Sequence, residues 1–77
     1  MNTIQKINKV FLTERELSII SLAAKEFNSG EIAALLNINI RTVETHRKRI
    51  MQKTNSKNFI GVILFTLKNN YIKLGDL

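Results

Sequence analysis

One start signal occurs three times in this chain, and it constrains the fold more than any other feature. Thr13 is followed three residues later by Glu16, the pattern of a capping box, and Leu12 and Leu17 flank it as the two halves of a hydrophobic staple. Asn28 repeats the pattern with Glu31, between Phe27 and Ile32. Asn39 is a third cap, with Ile38 and Val43 as its staple pair. Each signal opens a helix. The first carries Leu17, Ile20 and Ala24 on one face, widened by Ile19, Leu22 and Ala23, and is expected to end near Lys25 or Glu26. The second is short, with Ile32, Ala33, Leu35 and Leu36 apolar, and ends where Asn37 can take the left-handed conformation. Only a few residues then separate it from the third, the spacing of a helix-turn-helix in which the first helix of the pair braces the second.

The third helix, about residues 40–54, has two incompatible faces. Val43 and Ile50 lie seven residues apart on one side. Arg41, Glu44, Thr45, Lys48 and Gln52 share another, at i, i+3, i+4, i+7 and i+11. That mixture of bidentate-capable, acidic and small hydroxyl side chains suits a face that reads base edges in the major groove of DNA. Glu44 is the informative member. An acid facing DNA is repelled unless it accepts from a cytosine amino group, although an intrahelical pair with Lys48 is the plain alternative. Thr45 suits a thymine methyl and Lys48 a guanine O6/N7 edge. Arg41, Arg47, Arg49 and Lys53 surround this face as phosphate candidates, with Thr42 near the dipole-favoured helix start. A solvated charged face is the alternative for the cations, and backbone capping for Thr42. His46, at the edge of the apolar stripe, is read as a packed or phosphate-contacting residue and not a catalytic one. Arg15 and Ser29, near the starts of the first two helices, are lesser phosphate candidates.

Composition agrees with this reading and excludes others. The chain has 77 residues, room for one small core, and a net charge of +6 that favours a polyanionic partner. With no Cys and one His, neither disulfides nor a cysteine zinc site can form, and no catalytic or metal cluster is evident. No enzyme activity and no cofactor is expected. The longest apolar run, residues 59–67, is interrupted by Gly61 and Thr66 and falls short of the ~18 residues of a membrane span. A cytoplasmic protein with no membrane partner is expected. The absence of Pro and the scarcity of Gly point to an all-α fold.

A fourth helix is expected from after Ser56 or Lys57 to about Asn69 or Asn70. Its apolar residues point nearly all round the axis, more than one buried stripe requires. A symmetry mate is the simplest cover for the second side. Phe59, Val62, Ile63, Phe65 and Thr66 are the expected dimer contacts, with Gly61 permitting close approach. The alternative is that the N-terminal arm covers this side. Residues 1–11 hold Ile4, Ile7 and Val10/Phe11 at helical spacing and read as a frayed arm or linker. Residues 71–77 form a tail without a legible motif.

With these residues in view, the chain resembles the LuxR-type (GerE/FixJ-like) DNA-binding domain of bacterial transcription regulators. The family's L-T-x-R-E appears as Leu12, Thr13, Glu14, Arg15 and Glu16, its E-I-A as Glu31, Ile32 and Ala33, and its T-V-x-x-H as Thr42, Val43, Glu44, Thr45 and His46. Ile50 and Lys53 follow in register. The resemblance implies a compact four-helix domain over residues 12–70, with a helix-turn-helix in its second and third helices. It also implies a fourth helix pairing across a two-fold axis on a roughly palindromic site, and base contacts from Glu44, Thr45 and Lys48. The chain departs from the family at three places: Glu26 and Gly30 stand where Gly and Lys are common, and the segment Thr54–Asn55–Ser56 replaces L-G-V. The turn after the first helix is therefore expected to be made another way, at Asn28, and two apolar contacts between the third and fourth helices to be missing or replaced.

The implied function is a sequence-specific, dimeric, DNA-binding transcription regulator, with RNA polymerase as a further candidate partner. Two rivals stand beside it. The fourth region of sigma factors shares L-T-x-R-E and E-I-A, although the His46 position and the apolar fourth helix argue against it. A small helical module whose basic face meets an acidic protein is the rival from another class.

Overall fold

In the computed structural model, residues 10–77 are described. They form four α-helices, α1 (Glu14–Ala24), α2 (Ser29–Leu36), α3 (Ile40–Thr54) and α4 (Phe59–Lys68), then a 3₁₀ turn at Leu74–Asp76. The described part of the fold is all-helical, as expected. Of the N-terminal arm, Ile4 and Ile7 lie outside the described residues, while Val10 and Phe11 are not helical.

Every helix start follows local chemistry. Glu16 N–H donates to Thr13 Oγ1 at 3.1 Å and Thr13 N–H donates back to Glu16 Oε1 at 2.9 Å. Asn28 and Glu31 close the same reciprocal pair at 2.8 and 2.9 Å. Asn39 caps α3 through Arg41 N–H at 2.7 Å, and Asn58 caps α4 through Gly61 N–H at 3.0 Å.

The helix ends are equally uniform. Each stops at a residue with positive φ: Glu26 (75°), Asn37 (57°), Asn55 (54°) and Asn70 (65°). In each case the next amide reaches back to a carbonyl in the last turn, as Phe27 to Leu22, Ile38 to Ala33, Ser56 to Met51 and Tyr71 to Thr66. This is the Schellman closure, and Asn tolerates its left-handed residue better than other non-glycine side chains. Glu26 is the exception. The first turn is thus made by Glu26 itself, with Asn28 serving as the cap of α2; the expectation that Asn28 would make the turn is corrected.

The core is Leu12, Ile19, Ile20, Ile32, Ala33, Val43, Ile50, Val62 and Ile72. Two polar side chains enter it by bonding their own helix. Thr66 Oγ1 donates to the Val62 and Ile63 carbonyls, and Thr54 Oγ1 bonds Ile50 O and pairs with Ser56 Oγ at 2.8 Å. Thr54 therefore fills the buried place where an apolar anchor was expected, and its hydroxyl is satisfied there.

The expected dimer contacts on α4 do not share one exposed face. Val62 and Thr66 are fully buried within the protomer and cannot meet a second copy. Phe65 stacks on Tyr71 with ring centroids 5.8 Å apart, and Phe59 lies under Arg47. The outward face is instead Ile60 and Leu64, 69% and 61% exposed. Gly61 points inward: a Cβ there would lie 3.3 Å from Ser56 Cβ, so its missing side chain lets the α3–α4 connection close.

The residues read as a featureless tail also take part. Ile72 joins the core, and the Tyr71 hydroxyl accepts from Val10 N–H at 2.9 Å while donating to Val10 O. These contacts tie the entry of the domain to its exit.

Candidate nucleic-acid interface

α3 positions the site. Its inward residues Val43, Ile50 and Thr54 are buried, which leaves Arg41, Thr42, Glu44, Thr45, Lys48, Arg49 and Gln52 exposed. Burial of Val43 and Ile50 stabilises by about 3–6 kcal/mol, so a rotation of α3 that exposed a different face would pull these core side chains, and Thr54 with them, into water. Which face of α3 is exposed is therefore set by the core.

Residues of this exposed face line two open depressions. Asn39, Arg41, Thr42, Thr45, His46 and Arg49 line one. Lys48, Met51, Gln52, Asn55, Ser56 and Lys57 line the other. The first gathers two cations, two hydroxyls and a helix start, where amides lack intrahelical partners and the dipole favours an anion. Asn39 Oδ1 accepts from the Arg41 amide, one of the first-turn donors. The second depression contains Lys57, which sequence reasoning missed. It sits in the α3–α4 connection, where no periodicity exists to reveal it beside Lys48.

The other candidates are distributed unevenly. Arg15 is exposed on α1 and Ser29 half-buried at the start of α2. His46 is half-buried, and its Nδ1 is shielded without a hydrogen-bond partner. Lys53 and Arg47 are engaged by other parts of the fold, Lys53 while still partly exposed and Arg47 half-buried. Lys53 Nζ lies 2.8 and 3.0 Å from the two carboxylate oxygens of Glu16, a residue only 4% exposed. Glu16 thus serves the α1 cap and the α1–α3 joint together. Burial raises its carboxyl, but the Lys53 and Thr13 hydrogen bonds and the Lys53 charge outweigh this and hold it below its ordinary value.

The Arg47 guanidinium carbon lies 4.1 Å from the centre of the Phe59 ring. Such a stack contributes about 0.5–2 kcal/mol, rising as the cation loses water. Burial lowers the Arg47 pKa from its ordinary value, opposed by the charge of Glu44.

Residues 10–66 match the family of bacterial regulatory proteins, luxR family. The chain belongs to that family. It is 38% identical over 63 residues to a probable transcriptional regulator, ycf29, of Porphyra purpurea, covering 82% of this chain and 30% of the relative. It is 39% identical over 61 residues to the oxygen regulatory protein NreC of Staphylococcus carnosus, covering 79% and 28%. A third relative is the response regulator protein VraR of Staphylococcus aureus, 36% identical over 62 residues, covering 80% and 30%. The chain spans under a third of the length of these curated relatives. Within the luxR family framework, the two capping boxes and the Glu16–Lys53 pair lie inside the matched segment, whereas Tyr71 and Ile72 lie beyond it.

Proposed function

We propose that this luxR-family chain is a sequence-specific DNA-binding module of a transcription regulator, with α3 in the major groove. The observation that carries the reading is the division of α3. Its core side is buried, and its outer side presents a mixed hydrogen-bonding ridge whose residues line two basic depressions. Glu44, Thr45 and Lys48 are the base-reading residues, and Arg41, Thr42 and Arg49 meet the phosphates beside them. His46, Ser29 and Arg15 are secondary phosphate contacts, with Lys57 added from the structure. Lys53 acts through its pair with Glu16, setting α3 against α1. The mechanism is binding without chemistry: phosphate contacts supply affinity and the ridge supplies sequence.

Two copies pair through the Ile60–Leu64 face of α4 and read a roughly palindromic site, since a two-fold protein presents two identical α3 helices. Bound beside a promoter in the cytoplasm, the pair acts on transcription by recruiting or obstructing RNA polymerase.

Selection of bound duplexes from a random pool tests the whole reading. A palindromic consensus is expected, and enrichment of no sequence refutes it. Lys48→Ala then loses about 1–3 kcal/mol at the selected site and relaxes one base position. Arg49→Ala weakens all sequences alike and flattens the salt dependence. Equal effects of both changes on selected and random DNA would place the ridge outside the groove.

A further inference from the structure

We infer that Arg47 is a positioning residue: its guanidinium, stacked on Phe59, sets the angle between α3 and α4 and thereby the half-site separation the dimer accepts. The inference rests on the DNA-binding reading above and goes beyond it.

An arginine kept for phosphate presents a free, hydrated fork of donors, as the exposed Arg41 and Arg49 do. Arg47 does the reverse. Its head lies over an aromatic face, its Nη1 is shielded from solvent without a hydrogen-bond partner, and its pKa is lowered by the loss of water. Swinging out to a phosphate would surrender the stack and uncover Phe59. The ring that holds it belongs to the first residue of α4.

A second joint between the same helices lies seven residues along α3. There Thr54 Oγ1 and Ser56 Oγ are 2.8 Å apart, and Ser56 fits against the bare Cα of Gly61. Seven residues of helix span about 10 Å. One joint would leave a hinge, whereas two joints that far apart define an angle. Thr45 and Lys48 flank Arg47 on α3, and Ile60 and Leu64 follow Phe59 on α4. The stack therefore links the reading ridge to the pairing face.

The test uses the whole chain and duplexes carrying the selected half-sites at separations stepped by one base pair. The wild type is expected to favour one separation at least about tenfold over its neighbours, since half-site spacing follows protein geometry. Arg47→Lys, which keeps the charge and loses the planar stack, and Phe59→Leu should each reduce that preference to about threefold or less. Neither should change the salt slope or the affinity for a single half-site. The double variant should be no flatter than either single one, and Phe59→Tyr, which keeps the ring, should retain the wild-type preference. All variants are compared where circular dichroism shows them folded.

Retention of the separation preference by Arg47→Lys or Phe59→Leu overturns the inference. So does a salt slope reduced by about 0.9 in Arg47→Met with the preference intact, the signature of one lost phosphate contact. A wild type without any separation preference also overturns it. A wild type that binds no duplex at ~50 mM salt, where non-specific phosphate contacts already hold, fails the DNA-binding reading itself.

Discussion

Replacing Glu16 with Gln removes one negative charge and little else. Gln at the third helical position still completes a capping box, so the α1 start survives. What is lost is the ion pair to Lys53, with its contacts of 2.8 and 3.0 Å, and the charge assistance to the Thr13 amide. Breaking a buried pair by removing one partner costs about 3–5 kcal/mol, most of it from stranding the other charge. Here the Lys53 side chain is 34% exposed and can turn to water, which lowers the loss to about 2 kcal/mol. At about 4–8 °C per kcal/mol for a domain of this size, Tm should fall by roughly 8–16 °C.

Thermal unfolding followed by far-ultraviolet circular dichroism at pH 7 measures this. The pH dependence supplies an independent check. Because the folded-state pKa of Glu16 is depressed, its contribution is complete above the unfolded carboxylate value near 4.5 and is lost as pH falls through the lower folded value. The gap between wild type and Glu16→Gln should therefore be constant from pH 7 to about 5 and close in acid. Lys53→Met should be strongly non-additive with Glu16→Gln. A fall in Tm of less than about 3 °C, or a gap that persists below the folded pKa, refutes the pair as the joint between α1 and α3.

Three further outcomes follow from the helix ends and the α4 face. Glu26→Gly should stabilise by about 0.5–1 kcal/mol in urea unfolding, because relief of the left-handed backbone exceeds the added entropy of the unfolded chain. Glu26→Ala, which keeps the φ penalty, should bring no such gain. Tyr71→Phe should cost about 1 kcal/mol and accelerate hydrogen exchange at the Val10 amide; unchanged protection there would remove the Tyr71 hydroxyl as the tie between entry and exit. Ile60→Asp with Leu64→Asp should abolish pairing in sedimentation while leaving the helical spectrum intact, whereas Val62→Asp should unfold the protomer. Unfolding by the double surface variant would mean that its side chains are core.

The sequence alone determined the helix starts of α1, α2 and α3 and the α2 stop at Asn37, because caps act within four residues. It also determined the outer face of α3, since the buried Val43 and Ile50 exclude that side. Tertiary structure decided the rest. α4 is apolar all round, so periodicity could not tell Val62 and Thr66, which face the core, from Ile60 and Leu64, which face outward. The positive φ of Glu26 lacks the residue type that announces such a turn. Arg47 and Lys53 look like their exposed neighbours in sequence. Only the approach of Phe59 to Arg47, and of Glu16 to Lys53, 37 residues away, engages them within the fold. The Tyr71–Val10 tie spans 61 residues. Local chemistry writes where a helix begins; which of its charges are free depends on what the rest of the chain brings against them.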